Sequence, residues 1–178
     1  VENIYGPAVA ALKGRTTKSK SQIVEASRVI VPYKTLQRNK YIVLCIDVMY
    51  VCKLAFIVTI SRKVKLLACE WLPAVNNKAL VQSIKMIQGL YKKGGFRLST
   101  ALMDGQFKPI TGALAQIGIQ ANICTSDEHI PEIERAIRFI KERIRATYNS
   151  LTVKSYPQRM LIEMVYNAIY WINAVPAI

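Results

Sequence analysis

The chain has 178 residues, the length of about one domain, with 52% apolar and 20% charged residue types. That apolar share excludes an extended disordered polypeptide, because enough apolar surface is present to offset the entropy lost on ordering the chain. Lysine and arginine outnumber aspartate and glutamate by 25 to 11, a formal net charge of +14, which indicates a polyanionic partner, nucleic acid first and an anionic membrane second.

The first 40 residues differ from the rest in composition. They contain eight basic residues and two glutamates, and the stretch "KGRTTKSKSQ" has no apolar period. We predict that residues 1–40 form a basic, mostly extended linker with a short helix near Ala8–Leu12; an ordinary solvated tail is the alternative. No secretory signal opens the chain. The missing initiator Met and the ending "WINAVPAI" indicate a piece of a longer protein, so the expected folded domain, residues 41–178, is truncated at its C-terminus.

Three apolar, β-branched runs follow the linker. Because the connections between them are short, we predict an antiparallel meander of strands at Ile42–Tyr50, Leu54–Ile60 and Val64–Trp71. The first two runs together have the length of a membrane span. Asp47 and Lys53 would each cost about 2.5–3.5 kcal/mol near the centre of such a helix. A buried hairpin is therefore favoured, and no membrane is expected as a partner.

Helical and extended segments alternate in the remainder of the chain. The helices are marked by caps, by Pro131 at a first helical position and by a stripe of isoleucines with helical spacing. The predicted elements are a helix from Asn76 or Asn77 to Gly94, a strand Phe96–Met103, a helix Ile110–Ile117, a strand Ile119–Cys124, a helix from Pro131 and a helix Arg159–Ala174. This order predicts an α/β fold, a mixed five-stranded sheet with helices on both faces.

The cysteines and the single histidine, His129, do not form a zinc motif. A structural zinc site needs four converging ligands at finger-like spacing, whereas no short Cys-x-x-Cys pair occurs. We expect no structural zinc. The cysteines are predicted to be buried, reduced thiols of an intracellular protein: Cys45, Cys52, Cys69 and Cys124.

Two aspartates are candidate functional residues. Asp47 lies within the apolar run "LCIDVMYV", where an ionised carboxylate is costly unless a cation or strong donors compensate. Strand alternation places it on the face of Cys45 and Met49. A core acid bonded to backbone, or a residue on a half-exposed strand, are the alternatives. Asp104 ends the fourth strand, a position where α/β sheets present functional groups, although a plain Asp-Gly turn explains it equally.

Glu134 lies in the first turn of the helix that begins at Pro131. Arg138, Lys141 and Arg145 follow it at i+4, i+7 and i+11, offset by about 100° from the isoleucine stripe. A carboxylate above a ladder of cations suits a metal-dependent phosphodiester enzyme, because the acid holds the metal and the cations hold the phosphate backbone. Ordinary i,i+4 salt bridges on a solvated helix are the alternative.

These acids occur in an ordered set of segments: "CIDVMYV", "ALMDGQF", "HIPEIERAIRFIKERIRA" and "MLIEMVYNAIYWINAVP". Together they resemble the catalytic core of retroviral-type integrases, with the nearest resemblance to the copia-type LTR retrotransposons. The resemblance covers the chain from Tyr41 to the C-terminus. It implies a ribonuclease H-like fold and a D-D-E triad that binds two Mg²⁺ or Mn²⁺ ions.

Carried over residue by residue, the resemblance implies that Asp47, Asp104 and Glu134 are the catalytic, metal-binding carboxylates. The family's "ER" pair corresponds to Glu134–Arg135, and the basic residues that contact the DNA end correspond to Arg138 and Lys141. We add Arg135 and Arg145 as candidate DNA contacts. Two departures stand out: the interval from Asp104 to Glu134 is short, and the Asn-Gly usually preceding the glutamate is absent. The family's active-site loop would correspond to Thr125–Ile130, and Glu132 is the reserve candidate.

The implied activity is 3′-end processing and strand transfer of retrotransposon DNA into target DNA. The implied partners are the double-stranded element ends, the target duplex and further copies of the chain. The implied location is the nucleus or a retrotransposon particle. A ribonuclease H-like nuclease that only hydrolyses, and a catalytically decayed nucleic-acid-binding module, are the alternatives.

Overall fold

The computed structural model describes residues 31–124, 130–151 and 155–175. Five strands form one mixed sheet in the order β3-β2-β1-β4-β5. β1 pairs antiparallel with β2, and β2 with β3, whereas β4 runs parallel to both β1 and β5. The predicted mixed sheet and its antiparallel meander are confirmed. The strands are β1 (Tyr41–Val51), β2 (Leu54–Ser61), β3 (Leu67–Leu72), β4 (Arg97–Met103) and β5 (Gln120–Ile123).

The helices agree with the sequence pattern from Asn77 onward. Asn76 caps the second helix, its side chain accepting a hydrogen bond from the backbone N–H of Ala79 at 2.8 Å, and Pro131 begins the fourth. The helices are α1 (Tyr33–Asn39), α2 (Asn77–Lys93), α3 (Thr111–Gln116), α4 (Pro131–Ser150) and α5 (Gln158–Ala174), with a 3₁₀ helix (Gly105–Ile110) before α3.

The predictions for residues 33–39 and for the start of the third strand were wrong. Residues 33–39, expected to be extended, form α1; the rest of the predicted linker, including the helix near Ala8–Leu12, lies outside the described residues. The third strand begins at Leu67 instead of Val64. Lys65 has a φ of 59°, so a turn occupies residues that local β propensity alone would have placed in the strand. Apolar composition does not reveal a left-handed residue.

The β1–β2 connection is a two-residue turn at Cys52 and Lys53, with φ angles of 48° and 67°. Positive φ at both central residues is the geometry that matches the twist of a hairpin. The turn projects Cys52 into solvent. The expectation that all four cysteines are buried is therefore wrong for Cys52, and Cys124 is only partly covered, while Cys45 and Cys69 are buried as predicted.

Each face of the sheet has its own apolar cluster. One contains Ile42, Leu44 and Ile46 of β1 with residues of α2 and α3. The other contains Cys45 and Met49 of the same strand with residues of α4 and α5. Alternation along β1 therefore supplies both layers, and the predicted helices on both faces are confirmed.

α4 and α5 cover the face of β1 that carries Asp47. Three isoleucines of the α4 stripe, Ile133, Ile140 and Ile144, are at most 5% exposed, as the spacing predicts. The fourth, Ile137, is only partly buried. α5 is joined to β3 by Asn173, whose side chain accepts from the N–H of Leu67 at 2.9 Å and donates to its carbonyl at 2.8 Å. Within the described ranges, no helix is long and apolar enough to cross a membrane.

Candidate active site

Asp47 lies in the middle of β1, on the face that packs against α4. Cys45 and Met49 share this face and are buried, as alternation predicted, whereas Asp47 itself is half-buried. Its Oδ1 accepts a hydrogen bond from the N–H of Val48 at 2.6 Å. The carboxylate is thus held at the margin of the apolar layer, with one backbone donor fixing its orientation.

Asp104 lies beside Asp47 at the end of β4. The parallel register ends with Ile46 opposite Met103. The next residue is Asp47 in β1 and Asp104 just after β4, and neighbouring strands are about 4.8 Å apart. Asp104 is exposed and also caps the 3₁₀ helix, because its Oδ1 accepts from the N–H of Gln106 at 3.1 Å. The Asp-Gly turn and the placement beside Asp47 therefore occur together.

Gln106 connects the two aspartates. Its backbone N–H binds Asp104, and its side-chain Nε2 donates to Oδ1 of Asp47 at 3.3 Å. Sequence reasoning missed this residue. The signal that could have identified it is the Asp-Gly-Gln turn itself, since a capping aspartate places the residue two positions later at the same strand end.

Glu134 approaches this pair from the first turn of α4. Burial raises the pKa of the Asp47 carboxyl above its ordinary value; the Val48 N–H opposes that shift, the carboxylates of Asp104 and Glu134 raise the pKa further, and Lys141 lowers it. The three acids and one cation of the ladder therefore interact electrostatically. Asp104 and Glu134 are therefore within electrostatic reach of Asp47, and the predicted acids do not lie on opposite surfaces.

Glu132, the reserve candidate, has a different neighbour. Its Oε1 forms an ion pair with Nε of Arg62 at 3.0 Å, and both side chains act on the buried thiol of Cys45, whose pKa is raised by burial first and then by Glu132. Arg62 was not anticipated from the sequence, where it is one residue of a short polar connection. Of the two glutamates in this turn, Glu134 is the one whose charge raises the pKa of Asp47, after burial and the charge of Asp104.

The basic residues of α4 are distributed along its solvent side. Arg138 and Arg145 are exposed and Lys141 is half-buried. Arg135 is exposed, and its Nε donates to the carbonyl of Pro131 at 3.2 Å. The ladder thus begins beside the acids and continues away from them along the helix, which is the arrangement that a phosphate backbone could follow.

The donor set has the chemistry of a magnesium or manganese site, because carboxylate oxygens are the ligands these ions prefer. Burial first, and then the neighbouring carboxylates of Asp104 and Glu134, raise the pKa of Asp47, and a bound cation would oppose this shift. In the part of the chain that the structure describes, however, no three His, Cys, Asp or Glu side chains lie close enough to hold one ion. The acids are coupled but are not gathered into a metal-binding cluster. Of the loop expected at Thr125–Ile130, residues 125–129 lie outside the described residues.

Comparison with known proteins finds similarity at the level of the fold. No protein-family model and no curated protein matches the sequence. Among solved structures, the catalytic core domain of BIV integrase matches with a TM-score of 0.59 and 16% identity, over 76% of this chain and 85% of that one. The mixed five-stranded sheet with its helices therefore has the ribonuclease H-like fold of an integrase catalytic core, as predicted.

Proposed function

We propose that this chain is the catalytic core of a DNA integrase, a polynucleotidyl transferase that trims a DNA 3′ end and joins it to target DNA. The observation that carries the proposal is the group of three acids: Asp47 and Asp104 each follow the last registered pair of β1 and β4, and Glu134 acts on Asp47 from α4. The formal charge of +14 and the fold support a DNA substrate.

Asp47, Asp104 and Glu134 would hold the divalent ions, Mg²⁺ or Mn²⁺. When bound, such ions polarise phosphoryl oxygens and activate an oxygen nucleophile. The chain's own contribution is positioning. The Val48 N–H and Gln106 hold the Asp47 carboxylate in one orientation, so that less ordering remains to be done when the substrate binds.

The cations of α4 would bind the phosphates on either side of the reacting bond. Lys141 is the cation of this ladder that lowers the pKa of Asp47, a pKa that burial raises first of all. Arg138 and Arg145 lie on the same side of the helix. Such contacts fix the register of the DNA without reading its sequence. We expect affinity for duplex DNA to fall steeply with salt, as it does wherever phosphate contacts dominate.

The finer parts of the proposal rest on the sequence segments. Their likeness to copia-type LTR retrotransposons supports element ends as the DNA substrate, a nuclear or particle location, and assembly of several copies, because two ends must be joined to one target. A nuclease that uses only water as the nucleophile is the first alternative on the same scaffold.

A non-catalytic DNA-binding module is the second candidate, favoured by one observation. The described acids do not form a cluster that could hold an ion, which is what a decayed site would look like. Calorimetric titration with Mg²⁺ and Mn²⁺ separates the two: heat of binding that is lost in the Asp47→Asn variant supports the enzyme, and its absence at millimolar ion supports the module.

The decisive experiment is a strand-transfer assay with a labelled DNA end and a target duplex. Asp104→Asn and Glu134→Gln should each lower the rate by about 100-fold or more while duplex binding persists. Glu142→Gln is the matched control, an exposed acid on the same helix, and should leave the rate unchanged. Full activity in Asp104→Asn would overturn the assignment, and products of hydrolysis alone would support the nuclease.

A further inference from the structure

An ion pair joins the β2–β3 connection to the first turn of α4. Nε of Arg62 lies 3.0 Å from Oε1 of Glu132, and the glutamate side chain is only 23% exposed. Arg159 and Glu163, by contrast, pair at i and i+4 within a single helix. The pair of Arg62 therefore fixes one element relative to another, which a pair within one helix does not do.

The backbone that carries Arg62 is anchored to the sheet. Its N–H donates to the carbonyl of Val43 at 3.0 Å, one residue beyond the registered pair of Leu44 and Ser61. Ser61 is buried and closes the connection. Its N–H donates to the carbonyl of Leu66 at 3.1 Å, and its hydroxyl accepts from the N–H of Leu66 at 3.0 Å. Arg62 thus offers its charge from a fixed position.

Apolar contacts hold the first turn of α4 against the sheet. Ile133 is 2% exposed and belongs to the same apolar cluster as Cys45 and Met49, the residues on either side of Asp47 on that face of β1. Ile130, the residue before the helix, has no polar side chain to cap it. Because apolar contacts are not directional, they hold the turn on β1 without fixing the rotation of the helix about its axis.

Glu132 and Glu134 lie on opposite sides of Ile133. Successive residues of an α-helix are about 100° apart, so the two glutamates leave the helix in opposite directions when Ile133 faces the sheet. Arg62 follows β2 on one side of β1, whereas Asp104 follows β4 on the other. An α4 whose Glu132 is bound on the β2 side therefore directs Glu134 towards the β4 side.

We infer that Arg62 is a positioning residue, which through Glu132 fixes the rotation of α4 and so holds Glu134 among the catalytic acids. The inference rests on the proposed function for the role of Glu134. It assigns Glu132 to the anchor of the helix and not to the metal. Partners that orient metal-binding side chains typically change metal affinity or activity by about 10- to 100-fold when they are lost.

Exchange of the two charges tests this in the strand-transfer assay. Arg62→Gln and Glu132→Gln should each lower kcat by about 10- to 100-fold and leave the KM for DNA within about twofold, because the phosphate contacts remain. The double variant Arg62→Glu with Glu132→Arg restores the ion pair and should recover most of the lost kcat. Since arginine cannot ligate a metal, this recovery would also exclude Glu132 as a ligand. Lys63→Gln removes an exposed cation of the same connection and, as the control, should change neither constant.

Hydrogen exchange, measured by NMR in the presence of a chelator, tests the anchor without catalysis. The N–H of Glu134 donates to the carbonyl of Ile130 at 3.3 Å. Its exchange should be up to about fivefold faster in Arg62→Gln, the range for loss of a partly exposed ion pair, and unchanged in Lys63→Gln. A loss confined to KM, a charge exchange that recovers nothing, or unchanged hydrogen exchange would overturn the inference.

These outcomes are separate from those that test the proposed function. If Asp104→Asn and Glu134→Gln are inactive but Arg62→Gln keeps the wild-type kcat, the proposed function stands and the positioning role is wrong. If Asp104→Asn and Glu134→Gln remain active, the proposed function is wrong, and hydrogen exchange alone decides whether Arg62 orients α4.

Discussion

Replacing Asp47 by asparagine should make the domain more stable in the absence of divalent ions. In the folded state the Asp47 charge is half-buried and lies near two other carboxylates, and burial first, then Asp104 and Glu134, raise its pKa. Asparagine keeps a carbonyl oxygen for the Val48 N–H but has no charge to bury. The variant therefore removes the free-energy cost of a half-buried charge and retains the hydrogen bond from Val48.

The expected gain is about 0.5–2 kcal/mol, typical of substitutions that relieve a strained functional site. For a chain of this length it corresponds to a rise in Tm of about 1–8 °C. Asp47→Ala is the matched comparison. It removes the charge and also the acceptor of the Val48 hydrogen bond, whose loss costs about 0.5–1.5 kcal/mol, so its Tm should lie below that of Asp47→Asn.

The effect should depend on pH in a definite direction. Because the folded-state pKa of Asp47 lies above the unfolded value, the penalty is fully present above the raised pKa and vanishes below the unfolded one. The difference in Tm between wild type and Asp47→Asn should therefore be largest near neutral pH. It should shrink as the pH falls towards the ordinary carboxyl pKa of about 4.

Adding Mg²⁺ or Mn²⁺ should reverse this order of stability, so that the wild type melts above Asp47→Asn. At a hundredfold the dissociation constant, a bound ion stabilises the wild type by about 2.7 kcal/mol, more than the expected advantage of Asp47→Asn, and the variant should gain little. Differential scanning fluorimetry with chelator and with each ion measures both effects. An Asp47→Asn protein that melts below the wild type in chelator would refute the account of a half-buried, repelled carboxylate.

Three further changes test other contacts. The backbone N–H of Glu132 and then Arg62 lower the pKa of the Glu132 carboxyl, so its ion pair with Arg62 should stabilise the fold by up to about 1 kcal/mol. This stabilisation should be present above the ordinary carboxyl pKa and be lost as the pH falls through the lowered pKa. Strict additivity in a urea double-mutant cycle of Arg62→Gln and Glu132→Gln would contradict this. Asn173→Ala removes two hydrogen bonds to β3 and should lower the free energy of unfolding by about 1–3 kcal/mol; an unchanged urea midpoint would show that the tether is not stabilising. Iodoacetamide should label exposed Cys52 long before Cys69, whose pKa burial raises to about 12; equal rates in peptide mapping would contradict the burial of Cys69.

The elements of this fold are predictable from the sequence because their signals are local. β-branched runs with short links specify the meander, and isoleucines at helical spacing specify the buried side of α4. Alternation alone places Asp47 on the face of Cys45. The local errors, at Val64 and Cys52, occur where turn residues with positive φ interrupt or flank apolar runs, a backbone property that side-chain composition does not encode.

The assembly of the candidate site depends on contacts between distant parts of the chain. Chain order permits β1 and β4 to be neighbours, but only their pairing places Asp104 beside Asp47. Only packing separates Glu132, which pairs with Arg62, from Glu134, which acts on Asp47. The sequence by itself determined the strands, the helices and the acids worth considering, because these follow from local periodicity and the cost of burying charge. Tertiary structure decided which acids act on one another, because register and helix placement arise from long-range packing.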